Sequence, residues 1–347
     1  MAPSLPSLYP ITPDFPVTGV AASSYLRSLK GTRMQTRPVR PVPSGAFPGP
    51  WNQRMIQDNC PICGGVSARL VGEKDGLRVL RCASCTVHYS ERTPDVSQLP
   101  QIYSKAYFHG SPAGYPAYEA DESLHRARAR SYLRDLMAHA ESPGSVLDVG
   151  CATGFFLDEA RQAGWRVRGC EVSEWAAGYA SKRFGLDVVM APFPTDLLGS
   201  EQYDAVTLLN VFEQLPDPHA AERLLRDLVK PGGLLALETW DVDALVVRMS
   251  GMKWHKYRPE ETPIYLNRQS LTTLFRPEEW TLVEYRARTK WITLAHGLHA
   301  LGLAAHPGGN GGPPRRSLRD RIGRLSLPYH LGDLVWAVLK RREQVKA

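Results

Sequence analysis

At 347 residues with a 43% hydrophobic composition, the chain is long enough for one large globular domain with appendages. Its formal charge of +7 is uneven: residues 1–58 hold six Lys/Arg against two Asp/Glu and residues 286–347 hold twelve against three, so 59–285 are net acidic by six. That distribution argues against a phosphate-tracking groove through the centre of the chain, and no run of about 18 apolar residues is present to span a bilayer.

Residues 1–58 include ten prolines between Pro3 and Pro50, a composition that supports neither helical nor strand periodicity and reads as a disordered leader. No apolar stretch follows a basic start, so no secretory signal is expected and the protein is placed in the cytoplasm. A compact cysteine module occupies 59–92. Cys60-Pro-Ile-Cys63 and Cys82-Ala-Ser-Cys85 are two C-x2-C pairs separated by 18 residues, each a tight turn presenting two thiolates. Between them, Val66–Glu73 and Leu77–Arg81 read as strands turning at Asp75-Gly76. This is a zinc ribbon with Cys60, Cys63, Cys82 and Cys85 as ligands of a structural Zn2+. Four closed thiolate positions leave none for chemistry. His88 reads as a strand residue rather than a ligand.

The segment 93–142 is aromatic and turn-rich, then helical over Ser123–Ala140, with an apolar stripe of Leu124, Ala127, Leu133, Leu136, Met137 and Ala140 and with Arg126, Arg130 and Arg134 turned to water. In 143–290 strands and helices alternate: Val146–Val149, Phe155–Ala163, Arg166–Cys170, Glu174–Phe184, Asp187–Met190, Tyr203–Leu209, Ala220–Val229 and Leu234–Glu238. That alternation predicts an α/β fold, a Rossmann-like doubly wound sheet with helices on both faces. In 291–347, Trp291–Ala305 reads as a helix capping the site, with weak membrane-surface contact as the alternative. Gly308–Pro314 is a loop, and Leu334–Leu339 a last strand.

The segment Val146-Leu-Asp-Val-Gly-Cys-Ala-Thr-Gly154 runs from a strand through a glycine-bracketed turn into a helix. Gly150 and Gly154 allow close approach of a ligand to the backbone. The spacing is not the G-x-G-x-x-G that seats a pyrophosphate, so a nicotinamide cofactor is disfavoured. Glu171, 23 residues after Asp148, ends the next strand, where an acidic side chain can accept both hydroxyls of a ribose.

Together Val146–Gly154, Glu171 and Leu228-Val-Lys-Pro-Gly-Gly233 resemble the class I S-adenosyl-L-methionine (SAM)-dependent methyltransferases. Within them the chain is similar to bacterial enzymes with an N-terminal zinc ribbon that act on sugars and secondary metabolites. The likeness extends through Tyr103–Phe108, Gly251–Trp254, Pro259–Glu261 and Leu327–Asp333. It implies that Asp148 and the backbone at Gly150 hold the methionine end of SAM. By the same resemblance Glu171 holds the ribose, Val172 packs by the adenine, and Asn210 and Val211 close over the sulfonium. The 143–290 segment would then be the SAM-binding core.

Two departures stand out. Relatives carry Glu-His after the fourth strand, where this chain has Glu213-Gln214, and a His after Pro-x-Glu, where it has Thr262. Both imidazoles that would suit proton transfer near neutral pH are missing. Substitutes in the neighbourhood are Glu213, His219, His255, Tyr257 and Glu261, of which Glu213 and His255 are the first choices as catalytic residues. The expected function is methyl transfer to an oxygen or carbon of a small molecule or glycan precursor, with no nucleic-acid partner. A catalytically weakened SAM-binding scaffold and an RNA methyltransferase are the alternatives.

Overall fold

The computed structural model describes residues 59–109, 118–293 and 326–343. The leader expected over 1–58, the loop at 308–314 and all but the first residues of the 291–305 helix lie outside them.

In the cysteine module, β1 (Ala68–Lys74) and β2 (Leu77–Cys82) form an antiparallel hairpin. Its two-residue turn places Asp75 and Gly76 at φ 54° and 74°, the left-handed values that match the twist of the flanking strands. β3 (His88–Ser90) pairs with β2 and then with a two-residue strand far along the chain, His88 opposite Tyr265 and Tyr89 opposite Ile264. The ribbon is therefore one edge of a four-stranded sheet completed by the main domain.

Helix α1 (Glu122–Met137) buries His125, Ala129, Tyr132, Leu133 and Leu136. That stripe is rotated from the expected one, and Ala127 is exposed. Nor does Arg126 face water, because it pairs with Asp158 at 2.9 Å and Glu159 at 2.8 Å on the next helix. Hydrophobicity alone misplaced the face because the helix docks through aromatic groups and ion pairs as well as aliphatic ones.

The expected doubly wound sheet follows. Its elements are β4 (Ser145–Val149), α2 (Phe155–Gln162), β5 (Arg166–Glu171), α3 (Glu174–Phe184), β6 (Val188–Met190), β7 (Tyr203–Leu209), α4 (Pro218–Leu228) and β8 (Val229–Trp240). Asp217 caps α4, its carboxylate accepting from the Ala220 amide at 2.8 Å, with Pro218 in the first turn. Next come α5 (Leu245–Ser250), β9 (Ile264–Tyr265), α6 (Arg268–Leu274) and β10 (Trp280–Ala287). β11 (Lys290–Thr293) and β12 (Ser326–Tyr329) pair with each other. Residues 291–293 are thus strand rather than the start of the expected helix. β13 (Leu334–Arg341) is the expected last strand, extended by two residues.

Strand order is β10-β13-β8-β7-β4-β5-β6. β4 to β8 pair in parallel, and β13 inserts antiparallel between β8 and β10. Side chains alternate across the sheet. Leu147, Val149, Val206, Leu208, Leu235 and Leu237 join one core with Ala221 and Leu225 of α4, while Val146, Ala205 and Ala236 join another with Phe156 and Ala160 of α2. Truncating a fully buried member such as Leu147 to alanine costs about 2–5 kcal/mol. The first core also contains Cys60, Ile62, Cys82, Cys85, Val87 and Tyr89 of the module, so ribbon and sheet share a hydrophobic interior.

From β4 the chain winds outward through β5 and β6, then returns to β7 on the other side of β4. The carboxyl ends of β4 and β7 therefore diverge, and doubly wound sheets open their binding crevice at such a switch point.

Candidate active site

A cavity opens at that switch point, lined by Asp148, Gly150, Glu171, Val172, Asn210 and Val211 among others. Asp148 is fully enclosed at the end of β4. Its Oδ1 accepts from Thr207 Oγ1 at 2.6 Å, and burial, with Glu171 adding repulsion, pushes its carboxyl up to about 7. Glu171 ends β5 with each oxygen accepting a backbone amide at 2.8 Å, Ala152 on Oε2 and Ser173 on Oε1. Burial raises its carboxyl as well. Each oxygen keeps a further lone pair for a ligand hydroxyl.

The turn between β4 and α2 is tight: Gly150 donates to Cys170 O at 2.7 Å and Gly154 to Cys151 O at 2.9 Å. Gly150 has φ 74°, and a Cβ there would stand 2.4 Å from Val211 Cγ2. Gly154 has a different job from the one expected. It does not line the cavity, and a Cβ on it would strike Leu186 Cδ1 at 2.6 Å and Ala180 Cβ at 2.9 Å. It starts α2 in a left-handed conformation and lets that helix pack on α3. Cys151 is buried beside the cavity with its thiol pushed well above the usual range by burial, which suits packing rather than nucleophilic attack.

Asn210 follows β7 at φ 58°, a left-handed value uncommon outside glycine. Two bonds hold it there: its amide donates to Glu238 O at 2.7 Å and its Nδ2 to Glu238 Oε1 at 2.5 Å. Tyr132 of α1 donates to the same Oε1 at 2.6 Å. Such strain is sustained where the surroundings over-determine it, and here it aims Asn210 at the crevice.

The opposite wall comes from scattered segments. Glu213, 3% exposed, accepts from Thr239 Oγ1 at 3.1 Å, and burial pushes its carboxyl up to about 7. Gln214 occupies the position where relatives carry an imidazole. Its Oε1 accepts from the Tyr103 hydroxyl at 2.5 Å and its Nε2 donates to Asn210 O at 3.1 Å, so it ties the aromatic segment to the end of β7. Thr262, at the second vacated imidazole position, also lines the cavity, as do Glu261 and Arg258, paired at 3.1 Å.

Of the two expected catalytic residues only Glu213 faces this cavity. His255 is exposed and absent from the lining; its ring stands perpendicular to that of Trp240 at 5.6 Å, and the next residue, Lys256, lines the cavity instead. His219 is exposed at the start of α4, and Tyr257 is buried with its hydroxyl 2.6 Å from His88 Nδ1, in the core beside the ribbon. Trp254 is likewise a core pillar, its indole donating to Asp333 Oδ2 at 2.9 Å. Lys256, Arg258, Tyr103 and Arg128 are cavity residues that sequence reasoning missed. The 251–263 segment has no strand or helix period, so nothing in the sequence told position 255 from 256.

Behind this wall the four cysteine sulfurs lie within 4.8 Å of one another, with Cys60–Cys85 at 3.4 Å and Cys63–Cys82 at 3.5 Å. A tetrahedral zinc with sulfurs about 2.3 Å away has edges of about 3.8 Å, so the cluster has the dimensions of such a site. The Ser84 amide donates to Cys82 Sγ at 3.3 Å, and such donors favour thiolate.

Residues 121–285 match the family model described as a methyltransferase domain. The ubiquinone biosynthesis O-methyltransferase of Bordetella avium is 36% identical over 100 residues, 27% of this chain and 42% of that one. Its counterpart in Paraburkholderia xenovorans is 34% identical over 109 residues, 29% of this chain and 47% of that one. The chain thus spans under half the length of these curated relatives. A SAM-dependent methyltransferase of Thermotoga maritima, a possible histamine N-methyltransferase, covers 65% of this chain and 94% of its own at 19% identity and a TM-score of 0.41. The methyltransferase likeness carried by 146–154, Glu171 and 228–233 falls within the residues that match this family model.

Proposed function

We propose that this protein, whose residues 121–285 match the methyltransferase-domain family model, transfers the methyl group of SAM to an oxygen of a small molecule in the cytoplasm. The observation that carries the reading is the meeting of Asp148, Glu171 and Asn210 at the switch point, two buried carboxylates and a strained amide facing one cavity. This donor set fits SAM. Asp148 and the Gly150 backbone would hold the amino-acid end, Glu171 the ribose hydroxyls, Val172 the adenine edge and Asn210 with Val211 the sulfonium side. Buried acidic groups suit a cationic ligand. When bound, SAM supplies a methyl group already activated by a positive sulfur.

The chain's own residues then position and deprotonate the acceptor. Positioning supplies much of the barrier reduction for an in-line displacement. Glu213, held near 7, is the group to take the acceptor proton. The acceptor's oxygen rather than carbon is favoured by the O-methyltransferase relatives. The ribbon would bind a structural zinc, since its four sulfurs surround a closed site and none faces the cavity.

Calorimetric titration of S-adenosylhomocysteine tests the cofactor site. Micromolar binding lost in Asp148→Ala is expected; no binding by the folded, zinc-loaded protein would sink the reading. With an acceptor in hand, kcat/KM should rise with pH through about 7 as Glu213 ionises, and Glu213→Gln should lower the rate and flatten that rise. A pH profile unchanged by the substitution would remove Glu213 from proton transfer.

A further inference from the structure

Taking a proton from an acceptor hydroxyl leaves an oxyanion in a cavity that already holds Asp148, Glu171 and Glu213. A water-poor site disfavours that charge unless a cation faces it. Three donors of the acceptor wall already have partners there. Gln214 is spent on Tyr103 and Asn210, and the Tyr103 hydroxyl on Gln214. Arg258 is paired with Glu261.

Lys256 differs from these three. It lines the cavity, and its ammonium lies 4.2 Å from the centre of the Trp240 ring rather than in an ion pair with a carboxylate among the described residues. An aromatic face steadies a cation without neutralising it. Trp240 and Thr239 are adjacent at the end of β8, and Thr239 holds Glu213, so one strand end fixes both the base and the cation. The charges facing Lys256 are Glu213 and Asp333, which favour its ammonium, and Arg258 and Arg128, which oppose it. With burial the balance brings it down to about 8, still cationic at neutral pH.

We propose that Lys256 is the catalytic residue that faces the acceptor oxyanion, while Glu213 carries the proton away. The proposal rests on the methyl-transfer reading of the same cavity. The acceptor O–H breaks and its proton goes to a Glu213 carboxylate oxygen. The oxygen–carbon bond forms as the carbon–sulfur bond of SAM breaks, the electron pair staying on sulfur as a neutral thioether. Lys256 keeps its protons throughout, and Glu213 returns its own to solvent when product leaves. A cation at this position replaces the missing imidazoles by making the acceptor more acidic rather than by adding a stronger base.

The test uses 4-nitrocatechol, whose phenolate is coloured, with full-length protein saturated by S-adenosylhomocysteine. In the native protein the bound probe should ionise at least one pH unit below the free probe. Lys256→Met should lose at least tenfold in affinity for the phenolate and return the midpoint to the free value or above. Lys256→Arg should keep most of the shift. Calorimetry on the same samples should show S-adenosylhomocysteine affinity unchanged within about twofold, which also reports that each variant is folded. A shift that persists in Lys256→Met, a bound probe that stays neutral, or no phenolate binding by the native protein at millimolar probe overturns the assignment. Loss of S-adenosylhomocysteine binding by the native protein overturns instead the methyl-transfer reading beneath it.

Discussion

The wall proposed to hold the cofactor and the wall proposed to hold the acceptor share one cavity but are made differently. The first comes from strand ends within residues 148–211, each followed by a turn whose backbone conformation is fixed by local hydrogen bonds. The second is gathered from Tyr103, Glu213, Gln214, Lys256, Arg258, Glu261 and Thr262, which meet only because an aromatic segment, a turn after β7 and a loop after β8 converge. A wall built at strand ends inherits the rigidity of the sheet. A wall built from loops keeps its shape through side-chain contacts, such as the Tyr103–Gln214–Asn210 strap and the seat of Lys256 on Trp240. One scaffold can thus keep its cofactor while its acceptor changes.

Substitutions can break that contrast, and the largest effect belongs to neither wall. Cys82→Ser should abolish bound metal by elemental analysis and lower Tm by about 10 °C, since structural zinc contributes several kcal/mol. It should also disturb the acceptor wall more than the cofactor wall, because the ribbon joins the domain at β9, whose Ile264 and Tyr265 line the cavity. Metal content equal to the native protein would refute the zinc centre. Asp148→Ala should cost S-adenosylhomocysteine about 100-fold in affinity, the scale of a lost buried charged hydrogen bond, without changing acceptor specificity. Gln214→Ala, which cuts the strap, should raise acceptor KM about tenfold while S-adenosylhomocysteine binding moves less than threefold. If both change together, the two walls are one unit. His255→Ala should alter kcat/KM by less than twofold, and a tenfold loss would return the imidazole to the site.

The same contrast explains what could be read from the sequence. Asp148, Gly150 and Glu171 were legible because each sits at a fixed place relative to a buried strand, and strand burial shows as hydrophobic runs. Most of the sheet was legible for that reason too, including β13, but its edge strand β10, half of whose residues are polar or charged, was not. Gly154 was found for the wrong reason: a glycine required by helix packing and one required by ligand approach look alike until Ala180 and Leu186 are seen against it. Lys256 was passed over for His255 because residues 251–263 follow no period, and orientation there depends on Trp254 anchoring to Asp333, 79 residues away. The role of Gln214 was invisible for a similar reason, its partner Tyr103 lying 111 residues upstream.

The pairing of β3 with β9 also sets an order of events during synthesis. Tyr89 waits for Ile264, 175 residues later in the chain, which at about 5–20 residues per second is roughly 10–35 s. Through that interval one edge of the newborn ribbon has unpaired amides and carbonyls, the template on which neighbouring chains associate. Its brevity, three residues, limits the hazard. A ribbon whose four cysteines are closed early has only that edge open, whereas one left unclosed exposes its hairpin and its thiols as well. The yield of native protein should therefore depend on zinc supply while the chain is being made more than on zinc added afterwards.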